Sequence, residues 1–317
     1  MRSSRQVAAP ALVLGAVVSV QFGQALGKQM FGTVEPMGVA ALRLGLAAVV
    51  LLALHRPTLP RSAAELGIVA AFGTAIAGMN LIYPALQYLP LGLAISLQLL
   101  GPITLALLAS RRALDVCLAA LAGCGIWLFH GPSGGQSPLP GVLLALGGGV
   151  SMALYLLLSS RAGARSTGGG PLALAVTWAS LLTVPFGAAQ SGTTLLEPRV
   201  LAHGLLVALV SAALPYSLEL AALRRLPPRV VGVLQSLEPA AAGLAGTLLL
   251  SEHLNPLQWL ALACVGAAAA GTVARPSGPR RPAKEGDAPA SAPPVTYGPA
   301  RGPCTSRACT GADEGTA

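Results

Sequence analysis

Charge is what this sequence has least of. Of its 317 residues 10% are Asp, Glu, Lys or Arg and 54% are hydrophobic, whereas soluble domains carry about 25% charged residues. A string of ordinary soluble domains is therefore excluded. Asp is nearly missing, with Asp115, Asp287 and Asp313 the whole supply, which argues against a carboxylate-rich magnesium–diphosphate site. The four His, at 55, 130, 203 and 253, are scattered without metal-ligand spacing, so no metal is expected. Of five Cys, Cys117, Cys124 and Cys264 lie in apolar runs and read as small hydrophobes. Cys304 and Cys309 lack the second pair that a zinc site needs. The run Gly147 to Gly149 is not followed by a P-loop lysine and reads as a close-packing surface. No cofactor motif and no cluster of nucleophile and base is present, so an enzyme is not expected.

What the sequence has is long apolar runs. A bilayer core about 30 Å thick needs about 20 apolar residues per helix. Ten runs qualify, at roughly 8–27, 36–54, 65–84, 90–109, 113–130, 140–159, 171–189, 200–221, 229–250 and 255–274. The expected class is an all-α integral membrane protein of ten transmembrane helices. The net charge of +9 then describes topology. With the N-terminus in the cytoplasm, 17 of the 20 Lys and Arg fall on the cytoplasmic side, only Lys28 and Arg199 fall in outer loops, and Arg43 lies inside the second run. Such asymmetry orients membrane proteins with their basic loops inward. Both termini are thus expected in the cytoplasm, and nucleic acid is discounted as a partner. From Arg275 the sequence turns to Pro, Gly, Ala and Ser with scattered charge, too little apolar area to offset chain entropy. A disordered tail is expected over 275–317.

The runs repeat. ALQYLPLGLAISLQLLGP at 85–102 and AALRRLPPRVVGVLQSLEP at 221–239 share an offset of 137, which pairs Pro90 with Pro227, Gln98 with Gln235 and Pro102 with Pro239. Five helices per half is an odd number, so the second half would enter the membrane from the opposite side. That makes two inverted five-helix repeats, 1–134 and 135–274, with binding expected near mid-membrane between them.

This plan, with the stretches SVQFGQALGKQMF, PMGVAALRLGL, GMN at 78–80, LPLGLAISLQLLGPITLALLASRR, LPYSLELAALRRLP and LQSLEPAAAGLAGTLLLSEHL, resembles the EamA-type drug/metabolite transporter superfamily. The resemblance covers roughly residues 10–272 and is nearest to its bacterial inner-membrane threonine/homoserine exporter subgroup. It implies an inner-membrane exporter of a small amino acid or related metabolite. The alternative is an efflux or uptake carrier of another substrate on the same fold. Gln98, in SLQLLGP, stands where the resemblance leads one to expect an acid.

Ionisable groups inside a span are functional candidates by default, since a central charge costs roughly 3 kcal/mol on insertion scales. Glu238 and Glu219 are the expected proton-coupling residues. An acid taken out of water is harder to ionise, which suits Glu238 to loading and releasing a proton; a protonated carboxyl bonded to a neighbouring helix is the other reading. Glu219 can equally form a local pair with Arg224. Pro239, beside Glu238, and its repeat mate Pro102 lack an N–H and are expected hinges. Arg43 can hold a substrate carboxylate through its planar fork, pair with Glu238, or snorkel to the headgroups. Asn80, Tyr83, Gln98, Gln235, Tyr155 and Trp178 complete the expected substrate-binding set, with Gln21, Gln24 and Lys28 as weaker candidates. Glu252 and His253 are expected to be solvated in an outer loop. The expected partners are a small-molecule substrate, the proton and the lipid bilayer.

Overall fold

The computed structural model describes residues 2–60, 62–109, 113–130, 138–163, 169–223, 225, 226 and 228–273. The tail with Cys304 and Cys309, and Arg224 with its expected pairing, lie outside them. The described chain is all-helical, with no strand among the described residues. Its elements are α1 (Arg2–Gln29), α2 (Pro36–His55), α3 (Ala63–Met79), α4 (Ile82–Ala85), α5 (Leu91–Ala109), α6 (Ala113–His130), α7 (Leu139–Gly163), α8 (Gly170–Ser191) and α9 (Pro198–Ala208). A π-helical turn, Leu209–Ala213, joins α9 to α10 (Leu214–Leu223), followed by α11 (Pro228–Gln235), α12 (Glu238–Leu249) and α13 (Pro256–Val273).

Helices occupy all ten apolar runs, but not as ten uniform spans. Seven helical stretches among the described residues are long and apolar enough to cross a membrane; α5 and α6 supply shorter apolar stretches, Leu91–Leu105 and Val116–Phe129. The ninth run departs most from expectation. Instead of one helix with Glu238 at its middle, α11 ends at Gln235 and a new helix begins at Glu238. Pro239 falls in the first turn of α12, where a missing N–H costs nothing. It starts a helix there, while Pro102 sits inside the unbroken α5.

Packing follows membrane rules. Ala25, Ala40, Ala47, Ala94, Ala145, Ala173, Ala212 and Ala242 are fully buried, while Val49, Leu108, Leu181, Phe186 and Leu248 face outward. Lipid tails are as apolar as Leu, so helices associate by close backbone approach at small residues. The Gly147–Gly149 run does this work: Gly149 lies so close to α5 that a Cβ on it would come within 2.6 Å of the Gln98 carbonyl oxygen.

Taking α1–α6 and α7–α13 as halves, contacts between them come in exchanged pairs. α2 packs on α8, α6 on α13 and α5 on α12, each an element against its counterpart. α5 meets α7 as α12 meets α1, α3 meets α7 as α10 meets α1, and α3 meets α8 as α9 meets α2. The third run of each half, α3–α4 and α9–α10, is therefore held against the opposite half, and each carries a helix irregularity there.

Candidate functional site

Both irregularities have a proline behind them. Pro84 has no N–H to give the carbonyl four residues back, Asn80; that carbonyl takes the Tyr83 N–H at 3.0 Å and the helix breaks at Asn80–Leu81. Pro215 likewise cannot serve the Ser211 carbonyl, and the chain widens into the π turn around it, a common feature of functional sites. The two irregularities converge on one side chain.

Arg43 on α2 is buried, at 6% exposure. Its Nε donates to Ser211 Oγ at 2.7 Å, one Nη to the Ser211 carbonyl at 2.8 Å and the other to Asn80 Oδ1 at 2.6 Å. Its guanidinium carbon also lies 5.9 Å from the centre of the Tyr83 ring, a cation–π distance. Asn80 is itself held by an Nδ2 bond to the Ile76 carbonyl at 2.7 Å. Gly23 of α1 admits the Ser211 backbone, since a Cβ there would come within 2.7 Å of the Ser211 amide nitrogen.

Three of the five guanidinium N–H groups are used, leaving one on each Nη, and a pair of this kind can take both oxygens of a carboxylate. Among the described residues no acid pairs with Arg43, where the one salt bridge is Lys28–Glu252. The expected alternatives of an Arg43–Glu238 pair or a snorkelling arginine are not what the structure has. A buried cation without its anion is costly, and neutral dipoles are its present company.

The acids do not pair with this cation. Glu219 Oε1 accepts from Gln235 Nε2 at 3.1 Å, and Glu238 is partly buried at the start of α12. Gln98 joins the cluster from α5 through an Nε2 bond to the Met79 carbonyl at 3.1 Å, beside Asn80. Tyr155 stacks on Phe72, with ring centres 5.0 Å apart. Trp178 is not brought in: it is 36% exposed and bonds Thr74 Oγ1 at 3.1 Å on the flank between α3 and α8.

The expectation of a solvated Glu252 is overturned. Glu252 pairs with Lys28 at 2.8 Å, and its two oxygens accept the Leu91 N–H at 3.2 and 3.1 Å. Lys28 also donates to the Leu89 carbonyl at 3.0 Å, and Gln29 to that of Leu249 at 2.6 Å. The physical reason is that α5 follows Leu89–Pro90 and has no capping side chain of its own. Its first N–H needs an acceptor, and the carboxylate supplies one while Lys28 balances the charge. One clasp ties the ends of α1, α5 and α12.

Ser211 was absent from the expected set, although the sequence holds a signal for it. Asn80, Gln98, Ser211 and Gln235 each stand four residues before a proline, at 84, 102, 215 and 239. All four make side-chain bonds within the two polar groups described above. A polar residue at that spacing inside an apolar run marks where backbone groups are released.

The EamA-like transporter family matches residues 139–274. The chain is 42% identical over 265 residues to the threonine/homoserine exporter RhtA of Escherichia coli (strain K12), covering 82% of this chain and 90% of that protein. It is also 42% identical, with the same coverage, to the threonine/homoserine exporter RhtA of Salmonella typhimurium (strain LT2). The uncharacterized transporter YwfM of Bacillus subtilis is 31% identical over 144 residues, covering 45% of this chain and 48% of that one. A solved crystal structure aligns over 84% of this chain and 97% of its own at a TM-score of 0.54 and 21% identity, a likeness of fold alone. With spans suited to a bilayer and this degree of identity over most of its length, the chain belongs to the EamA-like transporter family and is a multi-pass membrane protein.

Proposed function

We propose that the protein is an inner-membrane exporter of a small amino acid of the threonine or homoserine kind, working by proton-coupled alternating access. The observation that carries this reading is Arg43, a buried cation with no acid partner among the described residues and one free N–H on each Nη. A substrate carboxylate completes it. The identity of the substrate comes from the 42% identical relatives, which are named for threonine and homoserine.

The proposed architecture is ten membrane crossings in two inverted repeats, 1–134 and 135–274, with the termini in the cytoplasm. The exchanged contacts between halves and the basic inner loops support it. In the proposed cycle Glu238 takes a proton when the carrier faces outward and releases it inward as substrate binds. Glu219, whose carboxyl accepts from Gln235 at 3.1 Å, is the second acid of the proposed proton path. The break before Pro239 lets α12 tilt against α11, while Pro102 gives α5 a smaller hinge.

Binding of an amino-acid panel to the purified protein tests the substrate. Saturable threonine or homoserine binding that disappears in Arg43→Ala is expected; undiminished binding in that variant removes Arg43 from the site. Counterflow into proteoliposomes under an imposed pH gradient tests the coupling. Transport that ignores the gradient, in wild type and in Glu238→Gln alike, removes the proton from the cycle.

A further inference from the structure

The C-terminal end of α1 meets three different surroundings. On one face Lys28 Nζ donates to Glu252 Oε1 at 2.8 Å and to the Leu89 carbonyl at 3.0 Å. The next residue, Gln29, donates to the Leu249 carbonyl at 2.6 Å. These bonds latch α1 to the chain entering α5 and to the end of α12. The bonds from the Leu91 N–H to Glu252 do not involve α1, so the latch can open while the cap of α5 stays in place.

A second face carries Gly23 and Gly27, one turn apart. A Cβ at Gly23 would lie 2.7 Å from the Ser211 amide nitrogen, and one at Gly27 would lie 2.7 Å from Cε1 of Tyr83. Ser211 anchors Arg43, and the Tyr83 ring stands 5.9 Å from the guanidinium carbon. This stretch of α1 therefore covers the Arg43 cluster, and the latch begins at the very next residue, Lys28.

The third face is the least filled. Leu26, and Met30 just beyond the helix, each lie two residues from Lys28, about half a turn around the axis. Together with Gln29 they border a cavity of about 500 Å³ whose far wall is Val200, His203 and Leu206 of α9. Packed protein leaves few such spaces, so a helix end can move only where room already exists. Here the bonds lie on one side of α1 and the room on the other.

We infer that the C-terminal end of α1 is a lid over the Arg43 cluster, latched shut by Lys28 and Gln29 and able to swing into the cavity beside α9. This rests on the reading of Arg43 as the substrate site. Swinging away lifts Gly27 from Tyr83 and uncovers the guanidinium. In the proposed topology this end faces outward, which makes the lid the exit for substrate. Lids of this kind commonly set the rate of turnover.

Hydrogen–deuterium exchange of the purified full chain reads the lid without any ligand. Lys28→Met removes two of the three latch bonds and should raise exchange across residues 26–30 about tenfold, with the amides of α8 unchanged. Leu206→Trp narrows the cavity from a half-exposed wall position and leaves the latch and Arg43 untouched. It should return the exchange of the Lys28→Met variant toward the wild-type rate. Alone, it should slow threonine counterflow about tenfold with binding kept within about twofold. His203→Trp, on the same wall, replaces it if the thermal midpoint falls. Exchange over 26–30 that ignores Lys28→Met overturns the inference, as does an equal rise in α8, which would make the bonds a general brace. Counterflow at the wild-type rate in Leu206→Trp overturns it too. If wild type binds no threonine the Arg43 reading falls, while exchange still decides whether α1 opens.

Discussion

α5 and the pair α11–α12 carry similar sequence at a common offset, and they differ at one residue. At the common offset of 137, Gln98 matches Gln235, Pro102 matches Pro239, and Glu238 matches Gly101. Both glutamines donate through Nε2 at 3.1 Å, Gln98 to the Met79 carbonyl of α3 and Gln235 to the Glu219 carboxyl of α10. At Gly101, however, the Gly149 backbone of α7 lies directly on α5, so that even a Cβ would collide with its carbonyl. At Glu238 the helix has just restarted, and a partly buried carboxyl fits. One segment is closed and continuous; the other is broken and carries an acid. The difference between two similar segments thus supplies the group that can change charge.

The comparison can be broken from either side. Gly101→Glu would force an acid into the closed segment; no folded protein should be recovered, as judged by monodispersity after extraction. Gly101→Ala, the milder form, should cost about 1–3 kcal/mol by overpacking and lower the melting midpoint. Glu238→Gln should keep the fold, since the amide has the shape of the acid and removes a charge. Its counterflow should no longer respond to a pH gradient, whereas wild type does. Lys28→Met or Glu252→Gln unties the clasp between the start of α5 and the end of α12. A charge-assisted, partly buried contact of this kind is worth about 1–3 kcal/mol, which a thermal melt would register. The smallest effect sharpens the comparison: Gln98→Leu should cost about 1 kcal/mol through the orphaned Met79 carbonyl with the pH response kept. Gln235→Leu, by unpairing Glu219, should alter that response.

Much of the frame was legible in the sequence because hydropathy over a bilayer's length is a strong signal. The likeness of the fourth and ninth runs rests on two glutamines and two prolines at one offset. The breaks were not read, since a window of about 20 residues averages over a two-residue interruption such as Ser236–Leu237. Their cause was present as prolines 84, 215 and 239, each acting on backbone next to it or one turn before it. Arg43 could be singled out as an ionisable group inside an apolar run, but not its bonds to Ser211. Ser211 reaches it only because Gly23 admits the backbone and the π turn exposes it, and these lie far apart in the sequence. Glu252 was misread because a polar residue between helices is ordinarily solvated. The missing cap on α5 was the sign that a carboxylate was needed there.

The most direct test of the account is proton release on substrate binding, measured by titrating L-threonine into the purified protein in buffers of different ionisation enthalpy. The account predicts proton release by wild type, threonine binding without release by Glu238→Gln, and no binding by Arg43→Ala. Binding by wild type with no proton exchanged, together with unchanged affinity in Arg43→Ala, would contradict it.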